Sequence, residues 1–276
     1  MLGRHSQQVD DIAKCRELTQ QGVTAKELGQ WEQSEKLLER AVEASPTDTV
    51  TRRTLADVLW HRGATKEALL QMEAAVRLDG NDASMTVRDG EMLLATGATG
   101  KALERAEDSI RLDPKLASAW ALRGHIYWRL NQTDRALADL QRALQYSPDN
   151  PEALMDVAAI YRQRGQHDRC LATLHHLLDT YPPGQESQMA LWMQGLTLAD
   201  LGRPDPAVES LLAASRLGPP NADLLCGLAQ AQFAAGQPAA ATASAQQALA
   251  ANATHEPSRQ LLEQIARSPT PGAVVR

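Results

Sequence analysis

Residues 117–150 read ASAWALRGHIYWRLNQTDRALADLQRALQYSPDN, and this stretch decides the fold. Counted from Ala117 as slot 1, it places Trp120 at slot 4, Gly124 at slot 8, Tyr127 at slot 11, Ala136 at slot 20, Ala143 at slot 27 and Pro148 at slot 32. Small and apolar residues recur at helical spacing on both sides of Asn131, so the stretch predicts a helix, a tight turn and a second helix.

Working outward, the turn position repeats. Gly29, Gly63, Gly97, Asn131 and Gly165 are each 34 residues apart; Gly202 follows after 37 and Gly236 after 34 more. A fixed period of this length marks a repeat array. With Pro46, Pro114, Pro148, Pro182 and Pro219 on slot 32, the units run 15–48, 49–82, 83–116, 117–150, 151–184, 188–221 and 222–255. Slot 8 is small throughout (Gly22, Ala56, Gly90, Gly124, Ala158, Gly195, Ala229), and so is slot 20 from Ser34 to Ala241. Slot 24 is mostly larger and apolar: Leu38, Met72, Leu140, Leu174, Leu211. A small side chain where two helix axes cross lets the backbones approach, and a large one a turn away fills the flank. The turn glycines suit left-handed C-caps. Thr65, Thr99 and Thr133 are expected as N-caps of the second helices, and Pro204 and Pro238 suit a helix start.

These slots together make the chain resemble the tetratricopeptide repeat family, with 117–150 the best-matched unit. Two units depart from the pattern: 222–255 lacks the Trp and the Pro, and 15–48 has Gln21 at the usually apolar slot 7. The resemblance implies an all-α, right-handed superhelical α-solenoid of seven helix-turn-helix units. Residues 1–14 are a polar extension that either lengthens the first helix or frays. Residues 256–267 read as an amphipathic capping helix whose Leu261, Leu262 and Ile265 cover the apolar edge of the last unit. Residues 268–276 read as a disordered tail. Residues 185–187 are an insertion after Tyr181-Pro182-Pro183-Gly184 and predict a longer loop with a small change in superhelix course. The Ala-rich last unit buries little apolar area, so units six and seven are expected to fray first.

Composition narrows the function. The net charge of −6 with interspersed signs argues against nucleic acid, which needs a basic stripe. No stretch reaches the length of a membrane span. Met1 to Asp11 has no apolar run of signal-peptide type, so the sequence as given reads as cytoplasmic; a mis-called start would leave an envelope or periplasmic location open. Cys15, Cys170 and Cys226 lie in separate units, which argues against an internal disulfide.

No catalytic constellation is legible. Gly97-Ala98-Thr99-Gly100-Lys101 ends like a phosphate-binding loop, but Ala95 and Ala102 break the pattern. His175 and His176 are adjacent and point about 100° apart on a helix, so they cannot chelate together. Neither a metal nor a cofactor is expected.

What the resemblance implies for binding is a concave groove lined by slots 2, 5, 9, 12 and 13 of the first helices. These slots give Arg53, Asp57, Trp60 and His61 in unit two, then Val87, Glu91 and Leu94 with Arg88 beside them in unit three. His125, Trp128 and Arg129 follow in unit four, Arg162 in unit five and Trp192 in unit six. Trp and Arg are the types most enriched at binding hot spots, although Trp60 and Trp128 read equally well as packing against the next unit. Slot 9 holds no Asn, and Asp57 or Glu91 there would repel a carboxylate; both features argue against the clamp with which some relatives hold chaperone C-termini. The expected role is a non-enzymatic scaffold that holds a peptide or helix of a partner protein. The alternative is a structural or assembly subunit, or an envelope-associated bacterial adaptor, including a lipoprotein whose signal is missing from this chain.

Overall fold

A computed structural model describes residues 2–267, with side chains from residue 10 onward. The expected tail, 268–276, lies outside the described residues. Among them there are fifteen α-helices and no strand.

Two compact units divide the chain, one ending at Tyr146 and the other beginning at Ser147. The first holds α1 (Leu2–Glu27), α2 (Trp31–Ala44), α3 (Thr49–His61), α4 (Thr65–Leu78), α5 (Ala83–Ala95), α6 (Thr99–Leu112), α7 (Ala117–Arg129) and α8 (Thr133–Tyr146). The second holds α9 (Pro151–Gln163), α10 (His167–Asp179), α11 (Gln188–Asp200), α12 (Pro204–Arg216), α13 (Ala222–Ala234), α14 (Pro238–Ala251) and α15 (Glu256–Arg267). Within each, consecutive helices pair as hairpins, and each hairpin packs on the next in chain order, the arrangement of an α-solenoid. The polar stretch before residue 15 is continuous with α1.

The period has a backbone cause. Every turn position between paired helices has positive φ: six glycines, and Asn131 at 57°, the lone such non-glycine among the described residues. Each turn closes the same way. Gly63 N–H donates to Trp60 O at 3.0 Å and Ala64 N–H to Leu59 O at 2.9 Å. Asn131 and Gln132 repeat this onto Trp128 and Tyr127. This is the Schellman pattern, which satisfies the last carbonyls of the first helix and requires the left-handed residue.

The turn also corrects the expected caps. Thr65, Thr99 and Thr133 are already the first helical residues of α4, α6 and α8. The cap positions of α4 and α6 fall on Ala64 and Ala98, which make no side-chain cap bond. The reason is that the turn is so short that its last residue both closes the Schellman motif and starts the next helix. Side-chain capping occurs instead at the other turn. Asp48, Asp82, Asn150, Ser187 and Asn221 accept from Thr51, Met85, Ala153, Ala190 and Leu224 N–H at 2.7–3.3 Å. Each such cap contributes roughly 1 kcal/mol.

Close approach is visible at slot 8. A Cβ on Gly124 would lie 2.8 Å from Leu140 Cγ and 3.2 Å from Ala136 O, and one on Gly195 would lie 2.5 Å from Leu211 Cγ. Leu38, Met72, Leu140, Leu174 and Leu211 are fully buried. Cys170 is buried beside Thr197 Oγ1 at 3.4 Å, and burial pushes its thiol above the ordinary range. The connection from α10 to α11 is the longer loop expected of the insertion. Leu261, Leu262 and Ile265 of α15 pack with Ala229, Phe233 and Ala245.

Candidate interaction surface

All nine predicted groove residues sit on the first helix of a hairpin: Arg53, Trp60 and His61 on α3, Arg88 on α5, His125, Trp128 and Arg129 on α7, Arg162 on α9 and Trp192 on α11. The first seven belong to the first compact unit and the last two to the second.

In the first unit the arginine is held in place. Arg88 Nε donates to Asp57 Oδ1 at 2.9 Å and Nη1 to Glu91 Oε2 at 3.0 Å. Burial pulls its pKa down, but the bonds to Asp57 and Glu91 outweigh this and leave it above the ordinary arginine value. Asp57 and Glu91 are therefore partners of Arg88 before they are surface charges. Trp60 is half-buried and packs with two core clusters, one containing Met72, Met85 and Met92 and the other Leu38, Val58 and Leu59. His61 stacks on Trp31 with ring centres 3.5 Å apart and planes 13° from parallel. That pair, with Lys36, Arg40 and Arg62, lines a recess of about 860 Å³. His125 meets Trp128 edge to face at 6.1 Å. Arg53 is half-buried and Arg129 exposed.

Val87 and Leu94 do not line a surface. They are 3% and 6% exposed and sit in a core cluster with Ala119, Leu122 and Ile126, because α7 packs directly across that side of α5.

In the second unit, Arg162 Nη2 donates to Asp200 Oδ2 at 2.9 Å, and a recess of about 360 Å³ opens between Ala159, Arg162, Gln163, Met193 and Asp200. Arg162 Nε and Trp192 Nε1 are buried with no partner among the described residues. Trp192 is half-buried against a cluster containing Leu171, Leu198 and Leu211.

One arrangement gave no sequence signal. Ser258 Oγ lies 2.8 Å from His255 Nδ1, and His255 Nε2 lies 3.1 Å from Asp223 Oδ1. The residue types are those of a nucleophilic triad, but Ser258 is fully buried in the first turn of α15. The row instead ties α15 to the start of α13. Among the described residues there is no cluster of three or more side chains suited to a metal, and no helix is long and apolar enough to cross a membrane.

Comparison with known proteins agrees with this geometry. Two tetratricopeptide repeat profiles match the chain, one over residues 129–191 and the other over residues 19–83 and 192–257, together well over half its length. No curated protein sequence matches. Among solved structures, similar ones include a tetratricopeptide repeat protein from Parabacteroides merdae ATCC 43184 (18% identity, 92% of this chain and 99% of that one, TM-score 0.64). PilW, described as a widely conserved type IV pilus biogenesis factor, is similar at 20% identity (78% of this chain, 98% of that one, TM-score 0.67). A chain of the APC/C hetero-tetramer Cut9-Hcn1 is similar at 14% identity (88% of this chain, 48% of that one, TM-score 0.77). At these identities the likeness concerns the fold.

Proposed function

The chain belongs to the tetratricopeptide repeat family, and from that premise we propose that it is a non-enzymatic scaffold that holds a peptide or helix of a partner protein against the first helices of its hairpins. One observation carries the reading. Arg88 is fixed between Asp57 and Glu91, and His125 is fixed edge-on against Trp128, so donors and aromatic faces are already positioned before a partner arrives. Preorganised side chains lose little freedom on binding, which is how a rigid surface gains affinity. Arg53 and Arg129 extend the same row as the adaptable rim.

Trp128→Ala tests this. It removes a large amphipathic face from the row while leaving the small slot-8 and slot-20 residues that hold the α7–α8 hairpin together. The expected result is loss of partner capture in affinity purification with an unchanged helical circular dichroism signal. Retained capture would reject the assignment of Trp128 to the surface.

A second reading is an assembly subunit. Leu28 and Leu70 are 67% and 63% exposed, and a neighbouring subunit that covered them would take that apolar surface out of water. That reading predicts a stable oligomer in size-exclusion chromatography before any partner is added.

A further inference from the structure

The antiparallel α7–α8 hairpin carries a ladder of alternating arginines and aromatic rings. Arg142 lies over the Trp120 ring at 5.5 Å, Arg123 over the same ring at 5.0 Å and over Tyr127 at 5.8 Å, and Arg135 over Tyr127 at 5.7 Å. Asp139 takes the edge of the central guanidinium through two hydrogen bonds, at 2.7 and 3.0 Å. The outer two guanidiniums, Arg135 and Arg142, are exposed. Arg135 donates from Nη1 to Gln132 Oε1 at 2.9 Å, a neutral partner.

The ladder does not share a face with the row around Trp128. At about 100° per residue, Trp120, Arg123 and Tyr127 point about 140–160° away from His125 and about 80–140° away from Trp128 on α7. It is therefore a surface separate from the one in the function proposed above.

We propose that this flank is a second docking surface, and that its partner is an acidic protein segment presenting two carboxylates. The central rung is the template: a guanidinium held over two rings, 5.0 and 5.8 Å from their centres, and met at its edge by a carboxylate. Arg135 and Arg142 repeat the ring half of that arrangement on exposed side chains, Arg135 spending Nη1 on the neutral Gln132 and neither paired with a carboxylate on the ladder. A guanidinium held over an aromatic ring can still offer N–H groups to a carboxylate, at reduced cost in side-chain freedom. The charge agrees, since the ladder's three arginines face two carboxylates, Asp139 and the nearby Glu107 that acts on Arg123, while the chain as a whole is at −6. The spacing sets the partner. Arg135 and Arg142 are two helical turns apart, about 10 Å. Two glutamates seven residues apart on a partner helix match that distance on one face.

The test is a titration of the full chain into fluorescein-labelled alanine-rich helical peptides at low salt, followed by anisotropy. One peptide carries two glutamates seven apart, one carries glutamines there, and one carries the glutamates five apart, where they point away from each other. The seven-apart peptide is expected to bind, and Arg135→Gln with Arg142→Gln to weaken it about tenfold, the loss of charge-assisted contacts. Arg111→Gln, an exposed arginine off the ladder, is expected to bind as the parent does. Equal binding of the glutamine or five-apart peptide, parent-like binding by the double variant, or no binding at millimolar peptide would overturn the proposal. So would tighter binding of a short single-stranded DNA, which would assign the flank to phosphates.

Discussion

Arg123 on α7 grips Asp139 on α8 through two hydrogen bonds, and the preceding hairpin holds the same two places with the charges exchanged, Asp89 on α5 accepting from Arg105 on α6 at 2.6 Å. On the α11–α12 hairpin of the second compact unit the same two places hold an uncharged pair, with Ser210 Oγ donating to Gln194 Oε1 at 3.0 Å. The partners are sixteen residues apart each time, facing across one hairpin.

The Asp89–Arg105 pair is buried on one side only, with Asp89 2% and Arg105 31% exposed. Arg105→Gln leaves the carboxylate without its cation. The expected cost is about 2 kcal/mol, below the range for a fully buried pair because Arg105 reaches solvent. Asp89→Asn added to Arg105→Gln is expected to recover most of it, read as hydrogen-exchange protection of α5 and α6. A double variant no better than the single would show that the carboxylate is not the source of the loss.

The same residue predicts a pH dependence. Burial holds the Asp89 carboxyl above the ordinary carboxylate range, with the bond from Arg105 pulling it back in part. A folded pKa above the unfolded one contributes stability that is full below the unfolded value and is lost as pH rises through the folded value. Thermal melts taken upward from about pH 4 should therefore show the parent losing stability relative to Asp89→Asn. Parallel curves for the two proteins would contradict this.

Asn131 stands where six other turns have glycine. Asn131→Ala should cost about 1 kcal/mol, because a Cβ residue without a local hydrogen-bonding side chain is disfavoured at left-handed φ. Asn131→Gly should be neutral or slightly stabilising. Chemical denaturation midpoints that rank alanine above glycine at this position would reject the turn assignment.

Gly124→Leu should destabilise the α7–α8 hairpin by roughly 3 kcal/mol or more through overpacking against Leu140 and the Ala136 carbonyl. Gly124→Ala should cost less, since Leu140 can yield a little while the carbonyl cannot. Melting of Gly124→Leu at the parent temperature would show that the helices do not cross there.

The α13–α14 seam is lined by Ala229, Ala241, Ala245 and Ala248, which bury little area each. Hydrogen exchange is expected to be faster there than in α9 and α10. His255→Ala should raise exchange further in α15 by removing the link from Ser258 to Asp223. Uniform protection would count against both expectations.

How much of this was legible follows from distance along the chain. The Gly/Asn turns, the small residues at slots 8 and 20 and the buried leucines at slot 24 all serve one hairpin, so a period exposes them directly. The caps Asp48, Asp82, Asn150, Ser187 and Asn221 recur just before the first helices and carry a readable signal; Thr65, Thr99 and Thr133 lie one place too late, already inside the second helices. The surface residues were readable as positions but not as environments. His61 on Trp31, Arg88 on Asp57 and Arg162 on Asp200 each join different repeats, and their contacts depend on how one hairpin is offset against the next. Val87 and Leu94 failed for the same reason, because α7 covers them.

The exchanged Asp–Arg pairs bear on how such a chain grows. In these two pairs the half-buried arginine finds its anion inside its own hairpin, so copying, deleting or transplanting that segment carries the neutralising group along. Lineages can lengthen or shorten the array without stranding the charges of these two pairs, while links such as Arg88 to Asp57 must be rebuilt at every new junction.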